Sequence, residues 1–205
     1  MHTANTQVNN TQIKQLFSAP SMARMAMMIA LVIVLGQVSI PLPFSPVPIT
    51  GQTLAIIIVG LLMSPLQALV IVGLWMAMGT LGLPVFSMGR SGPEVLLGPS
   101  GGYIVGFLAC AVFIAFFKAS LNGYKQRPRM QALAHNAVVV AIGSLVVIYT
   151  LGVLGLMRAT DMPFAVAFTK GVFPFLIGDA LKLVIAVLTC DQLVRTAPQL
   201  FTSPK

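Results

Sequence analysis

The run Gly171-Val-Phe-Pro-Phe-Leu-Ile-Gly-Asp-Ala-Leu-Lys-Leu-Val-Ile-Ala-Val-Leu-Thr-Cys190 constrains the fold more than any other stretch. It is long and apolar enough for a membrane-spanning helix, yet it carries Asp179 and Lys182. A charge near the middle of a spanning helix costs about 2.5–3.5 kcal/mol, while each Leu, Ile, Phe or Val returns only about 0.3–0.6 kcal/mol. Two separate charges would therefore leave insertion roughly neutral at best. Spaced three apart with the acid first, they share one helix face and can enter the membrane as an ion pair. Such a pair either neutralises itself and does nothing more, or marks a functional site, the default reading of intramembrane charge. Gly178 beside them lacks a Cβ and leaves room for a backbone or a ligand to approach.

The rest of the chain agrees with a membrane setting. Hydrophobic residues make up 57% of the 205 residues and charged residues 8%, and the mean hydropathy is +0.94, far outside the soluble range. At about 20 residues per span there is room for roughly six helices and none for a separate soluble catalytic domain. The net charge of +8 does not point to nucleic acid, because Lys and Arg are not gathered on a soluble face; they read as orientation signals. Met1 to Ser18 is polar and lacks the apolar core of a signal peptide. Cys110 and Cys190 stand alone in apolar segments without a CxxC spacing, which predicts buried free thiols.

Six spans follow in order. The first covers about Met22 to Ser39 and is ended by Pro41, Pro43, Pro46 and Pro48, a stretch that cannot be helical. The second covers Gly51 to Met63, the third Leu66 to Leu81 after a Ser64-Pro65 turn, the fourth Gly101 to Phe117, the fifth Leu133 to Met157 and the sixth Gly171 to Cys190. The fold class is thus an all-α integral membrane protein. A polar segment (residues 1–20) precedes a single six-helix domain (21–196), and a tail (197–205) follows it. With six spans and both ends cytoplasmic, Lys14, Arg24, Lys118, Lys125, Arg127, Arg129, Arg195 and Lys205 lie inside, and Arg90, Arg158 and Lys170 outside, so the positive-inside rule is obeyed. Merging the second and third spans would place one basic cluster outside. A multi-pass protein of the plasma membrane is expected.

In this orientation the Pro-rich segment Pro41 to Thr50, the Gly-rich segment Gly82 to Ser100 and the Arg158 to Lys170 loop all face outwards. Asp179 would lie about 12 Å below the outer surface, eight residues into its span at 1.5 Å per residue. Irregular backbone near membrane depth is tolerated only where it is buried or lines a cavity, so an outward-facing site capped by three loops is expected. The Gly-rich loop interleaves Leu83, Val85, Phe86, Val95 and Leu97 with its glycines, which should pack it downwards over a small ligand.

Leu81-Gly-Leu-Pro-Val-Phe86, Leu97-Gly-Pro-Ser-Gly-Gly-Tyr103 and Phe175-Leu-Ile-Gly-Asp-Ala-Leu-Lys182 together closely resemble the BioY family, over about residues 20 to 195. Members are the biotin-binding S subunits of energy-coupling-factor (ECF) transporters. The resemblance implies six membrane helices, capture of biotin from outside, and work with a separate transmembrane T subunit and two ATPases. Residue patterns alone reach only a small-molecule membrane carrier.

Biotin chemistry suits the residues present. Its ureido ring offers two N–H donors and a carbonyl, so Asp179 could accept while Lys182 donates to a carbonyl or carboxylate. Arg90 is the candidate cation for the valerate carboxylate, with a plain Arg90–Glu94 ion pair as the competing reading. Gln52 and Thr53 sit at the same outer level; Gln52 could bond the polar ring or cap a helix end. Tyr103 could flank the bicycle or anchor at the interface, and Trp75 could stack on the sulfur ring or simply pack. Tyr149 needs a partner if buried. On the first span, Ala23, Ala26 and Ala30 form a small-residue face that allows close helix approach; the resemblance implies that it meets the T subunit. No G-x-x-x-x-G-K-[ST] loop occurs, so ATP chemistry must come from partners. No cofactor is called for. A stand-alone secondary transporter is the alternative, and an enzyme is disfavoured by the lack of HExxH, GxSxG or paired carboxylates.

Overall fold

The computed structural model describes residues 18–119 and 128–198. Most of the polar N-terminal segment, the linker residues Lys125 and Arg127, and all of the tail beyond residue 198 fall outside the described residues, as do Lys14 and Lys205.

The chain enters the bundle as α1 (Ala19–Gln37). The Pro-rich stretch after it, expected to be irregular, is a hairpin of β1 (Ser39–Leu42) and β2 (Ser45–Thr50), with Ser39 opposite Thr50 and Ile40 opposite Ile49. A two-stranded sheet has only edge strands, so proline's missing N–H can face outward without breaking the ladder. The fold is therefore helical with one hairpin rather than wholly α.

Next come α2 (Gln52–Leu62) and α3 (Pro65–Thr80). Ser64 and Gln67 form a reciprocal capping box at the start of α3, which satisfies two orphan N–H groups. The Gln67 amide also donates to Ser21 Oγ at 2.9 Å, tying α3 to α1. Lys118 donates to Leu61 O at 2.8 Å and Met63 O at 2.6 Å, so the open carbonyls ending α2 receive a cation. A long loop carries a short α4 (Pro93–Leu97) and leads to α5 (Gly101–Phe117), the central helix, which packs on α2, α3 and α6. Helix α6 (Arg129–Thr160) contains a π-helical segment, Ile142–Ile148. Gly102 of α5 and Gly155 of α6 let the two backbones cross closely: a Cβ on Gly102 would lie 2.8 Å from the Gly155 Cα.

The sixth span differs from its expected form. Gly171 to Cys190 is not one helix but the end of α7 (Phe164–Gly171), a break, and α8 (Leu176–Thr196), with the two axes bent by 50°. Pro174 removes a backbone donor and clashes with the preceding turn, so the helix cannot pass through Phe173-Pro174-Phe175. Asp179 accordingly lies in the first turn of α8, where the helix dipole favours a carboxylate. Because α8 continues to Thr196, Asp191 is a second buried carboxylate of this span, beyond the one expected. It accepts from Arg129 Nε and Arg195 Nε, each at 2.8 Å, and so binds the start of α6 to the end of α8.

By length and composition α1 and α6 can each cross a membrane, and the bent pair α7–α8 makes a third. At 1.5 Å per residue, α3 and α5 reach roughly 24–26 Å, and α2 only about 17 Å, against a hydrocarbon core of about 30 Å. Large apolar side chains stand outward around the bundle, among them Val34, Phe116, Ile177 and Leu188. Exposed large apolar side chains in such number fit lipid, not water.

Candidate functional site

A cavity of about 550 Å³, counting its open mouth, lies at the end of the bundle where β2, the α3–α5 loop, α2, α5, α6 and α8 meet. A few polar and charged side chains converge there among apolar ones, as in small-molecule sites. The hairpin contributes Val47, Pro48 and Thr50, and α2 contributes Gln52 and Thr53. The loop brings Phe86, Ser87, Arg90, Val95 and Ser100, and the helices add Tyr103, Ile104, Phe107, Ile148, Tyr149, Phe175, Asp179 and Lys182. Two of the three expected caps thus line it. The Arg158 to Lys170 segment does not; its residues from Phe164 onward form α7, which packs behind the hairpin.

The charged couple sits in one wall. Lys182 Nζ is 2.8 Å from Asp179 Oδ1 and donates to Thr50 O at 2.7 Å, while the Tyr149 hydroxyl donates to Asp179 Oδ2 at 2.7 Å. Asp179 is buried and Lys182 only partly exposed, and both charges are matched by short bonds. One ammonium hydrogen and further carboxylate lone pairs remain for a ligand. The wall can therefore accept from N–H and donate to an oxygen without losing its own pairing.

Tyr149 is the residue that the sequence left undecided. Its side chain reaches Asp179 from immediately after the π-helical segment of α6. The wider π turn changes which face each later residue presents, and a π-bulge inside an α-helix often marks a functional position. No apolar period in the sequence reveals that shift. The Thr50 carbonyl is equally invisible, since any residue supplies one.

Gln52 also lines the cavity, and its Nε2 is buried without a protein partner. An unsatisfied buried donor asks for an occupant. Gly36 of α1 makes room for it, because a Cβ there would lie 2.7 Å from Gln52 Nε2. Arg90 is present in the wall, but its guanidinium bonds to Ser87 O (3.3 Å), Ser87 Oγ (3.1 Å) and Ser100 Oγ (3.2 Å) rather than pairing with Glu94. Tyr103 is buried rather than an interface anchor: its hydroxyl donates to Gly171 O at 2.9 Å, and its ring faces the cavity beside Phe175.

Trp75 stands outside the cavity lining. It is fully buried, donates to Val85 O at 3.0 Å, and meets Phe86 edge-on with centroids 5.2 Å apart. The aromatic wall is Phe86, braced from behind by Trp75; sequence spacing cannot distinguish the two rings because the loop between them folds back. Gly178 faces open space rather than a close neighbour. Ala23, Ala26 and Ala30 lie away from the cavity, on the exposed face of α1 beside Met22 and Met27. Cys110 and Cys190 are buried free thiols.

The BioY family model matches residues 7–199. The chain belongs to the BioY family. Among its relatives, the biotin transporter BioY of Rhizobium etli is 30% identical over 80% of this chain and 87% of its own length. The probable biotin transporter BioY of Pyrococcus horikoshii is 33% identical over 85% of this chain and 96% of its own. In structure, this BioY-family chain is similar to the S-component for biotin from an ECF-type ABC transporter, solved at 2.1 Å. That match has a TM-score of 0.79 at 28% identity and covers 95% of this chain and 98% of the other. The protein is a multi-pass membrane transporter component and not an enzyme.

Proposed function

We propose that this protein is the biotin-capturing S subunit of an ECF-type vitamin uptake system, energised by a separate T subunit and ATP-binding-cassette ATPases. The observation that carries the reading is the buried Asp179–Lys182 couple, held by Tyr149 and Thr50 in the wall of the cavity. The biotin-specific names of its relatives and structural neighbour support the choice of ligand.

In this reading the ureido N–H groups donate to Asp179, Lys182 donates to an oxygen of the ligand, and Gln52 Nε2 supplies another donor. Tyr103 and Phe86 hold the bicycle between their rings, and the valerate carboxylate meets Arg90. Buried charge-assisted bonds discriminate strongly against analogues that lack the matching group. The bundle crosses the plasma membrane six times with both termini cytoplasmic, the three shorter helices completing their crossings with the adjoining hairpin and loops. The cavity then opens outwards, and the exposed Ala23, Ala26 and Ala30 face receives the T subunit.

Equilibrium binding of labelled biotin to the purified protein, without partners, tests the reading. Saturable one-to-one binding is expected. Absence of biotin binding, with another vitamin bound instead, would overturn the ligand; biotin uptake by this chain alone in ATPase-free liposomes would overturn the dependence on partners.

A further inference from the structure

Arg90 does not close the site off from the outside; it stands between two hollows. Arg90, Val95 and Ser100 line both the ligand cavity and a second, open hollow of about 680 Å³ counting its mouth, whose remaining walls include Ser91, Glu94 and Pro99. Arg90 is thus common to both walls. Its guanidinium is held only by neutral oxygens of Ser87 and Ser100, and Nη1 has no partner among the described residues. Glu94, four residues on, is exposed, and no hydrogen bond or ion pair engages its carboxylate among the described residues. One loop therefore carries a cation and an anion that do not pair with each other, both bordering one hollow.

We infer that this hollow admits a chain appended to the ligand's carboxylate, and that the protein captures amide conjugates of the vitamin with a cationic diamine, 1,5-diaminopentane being the type, as well as the free acid. This rests on the proposed seating of biotin with its carboxylate at Arg90. An amide carbonyl still accepts from the guanidinium, though a neutral acceptor is weaker than a carboxylate. The appended methylenes pass Arg90 into the second hollow, and the terminal ammonium reaches Glu94. That charge contact, exposed to water, recovers part of what the amide loses.

Competition of labelled biotin with N-(5-aminopentyl) biotinamide and with the uncharged N-pentyl biotinamide tests this on the purified protein. The aminopentyl amide should bind within about a hundredfold of biotin and about two- to fivefold more tightly than the pentyl amide, the range of an exposed ion pair. Glu94→Gln should abolish the difference between the two amides, and Glu94→Lys should reverse it, while biotin affinity, which also reports folding, stays unchanged. The aminopentyl amide binding more than about a hundredfold below biotin, beyond what the weaker amide acceptor explains, would overturn the inference. Variants that leave the two amides as they are in the wild type would overturn it too. Wild-type protein that binds no biotin would bring down the seating and the inference together, whereas biotin binding with amides excluded removes the inference alone.

Discussion

Replacing Asp179 by asparagine changes the charge of the wall and hardly its shape. Tyr149 can still donate to the amide oxygen, so the loss falls on Lys182, which keeps the Thr50 carbonyl at 2.7 Å but no counter-charge. Breaking a fully buried ion pair costs about 3–5 kcal/mol. The Lys182 side chain is 16% exposed at the cavity wall, so solvent offsets part of that cost and a loss of about 2–3 kcal/mol in the empty protein follows. Binding loses separately, because the ureido N–H groups then meet a neutral oxygen or an amide N–H. A hydrogen bond to a charged acceptor is worth about 1.5–3 kcal/mol, which corresponds to a biotin Kd about 10- to 150-fold weaker. Calorimetric titration of the purified variant gives the affinity, and a thermal melt without ligand gives the stability. A variant that melts earlier yet binds biotin within about twofold of wild type would refute the role of the carboxylate in the ligand site.

Tyr149→Phe keeps the ring but deletes the donor to Asp179 Oδ2; a loss of about 1–2 kcal/mol, or roughly 5- to 30-fold in biotin affinity, is expected by titration. Trp75→Phe orphans the Val85 carbonyl behind Phe86, so the melting temperature should fall by the equivalent of about 1–3 kcal/mol while biotin affinity moves less than about threefold. Ala26→Trp, on the exposed face of α1, should leave biotin binding intact and lower ATP-dependent uptake in vesicles containing the T subunit and ATPases. Unchanged uptake would remove that face from the partner interface.

The helical bundle was legible because lipid demands apolar runs of a set length, and the boundaries of α3 and α5 follow Pro65 and the Gly101-Gly102 pair closely. The charged couple was legible for the same reason, since Asp179 and Lys182 have no solvent to justify them. The break at Pro174 was written in the sequence, yet its apolar flanks Phe173 and Phe175 made the run read as one span. The hairpin was hidden by its own prolines, which argue against helix but also against strand unless both strands are edges. The α7 helix carries a short apolar period, Phe164, Ala167, Phe168 and Gly171, too brief to separate from a loop. Pairings such as Tyr149 with Asp179, or Lys182 with Thr50, join positions 30 and 132 residues apart, and no local pattern encodes them.

Photolabelling with a biotin derivative carrying a diazirine at the valerate end, followed by peptide mass spectrometry, locates the ligand most directly. Biotin-competable adducts on Ser87 to Ser100, the loop that carries Arg90, are expected. Competable adducts on α1 around Ala26, or at the Arg129–Asp191 end of the bundle, would contradict a biotin seat in the Asp179–Lys182 cavity.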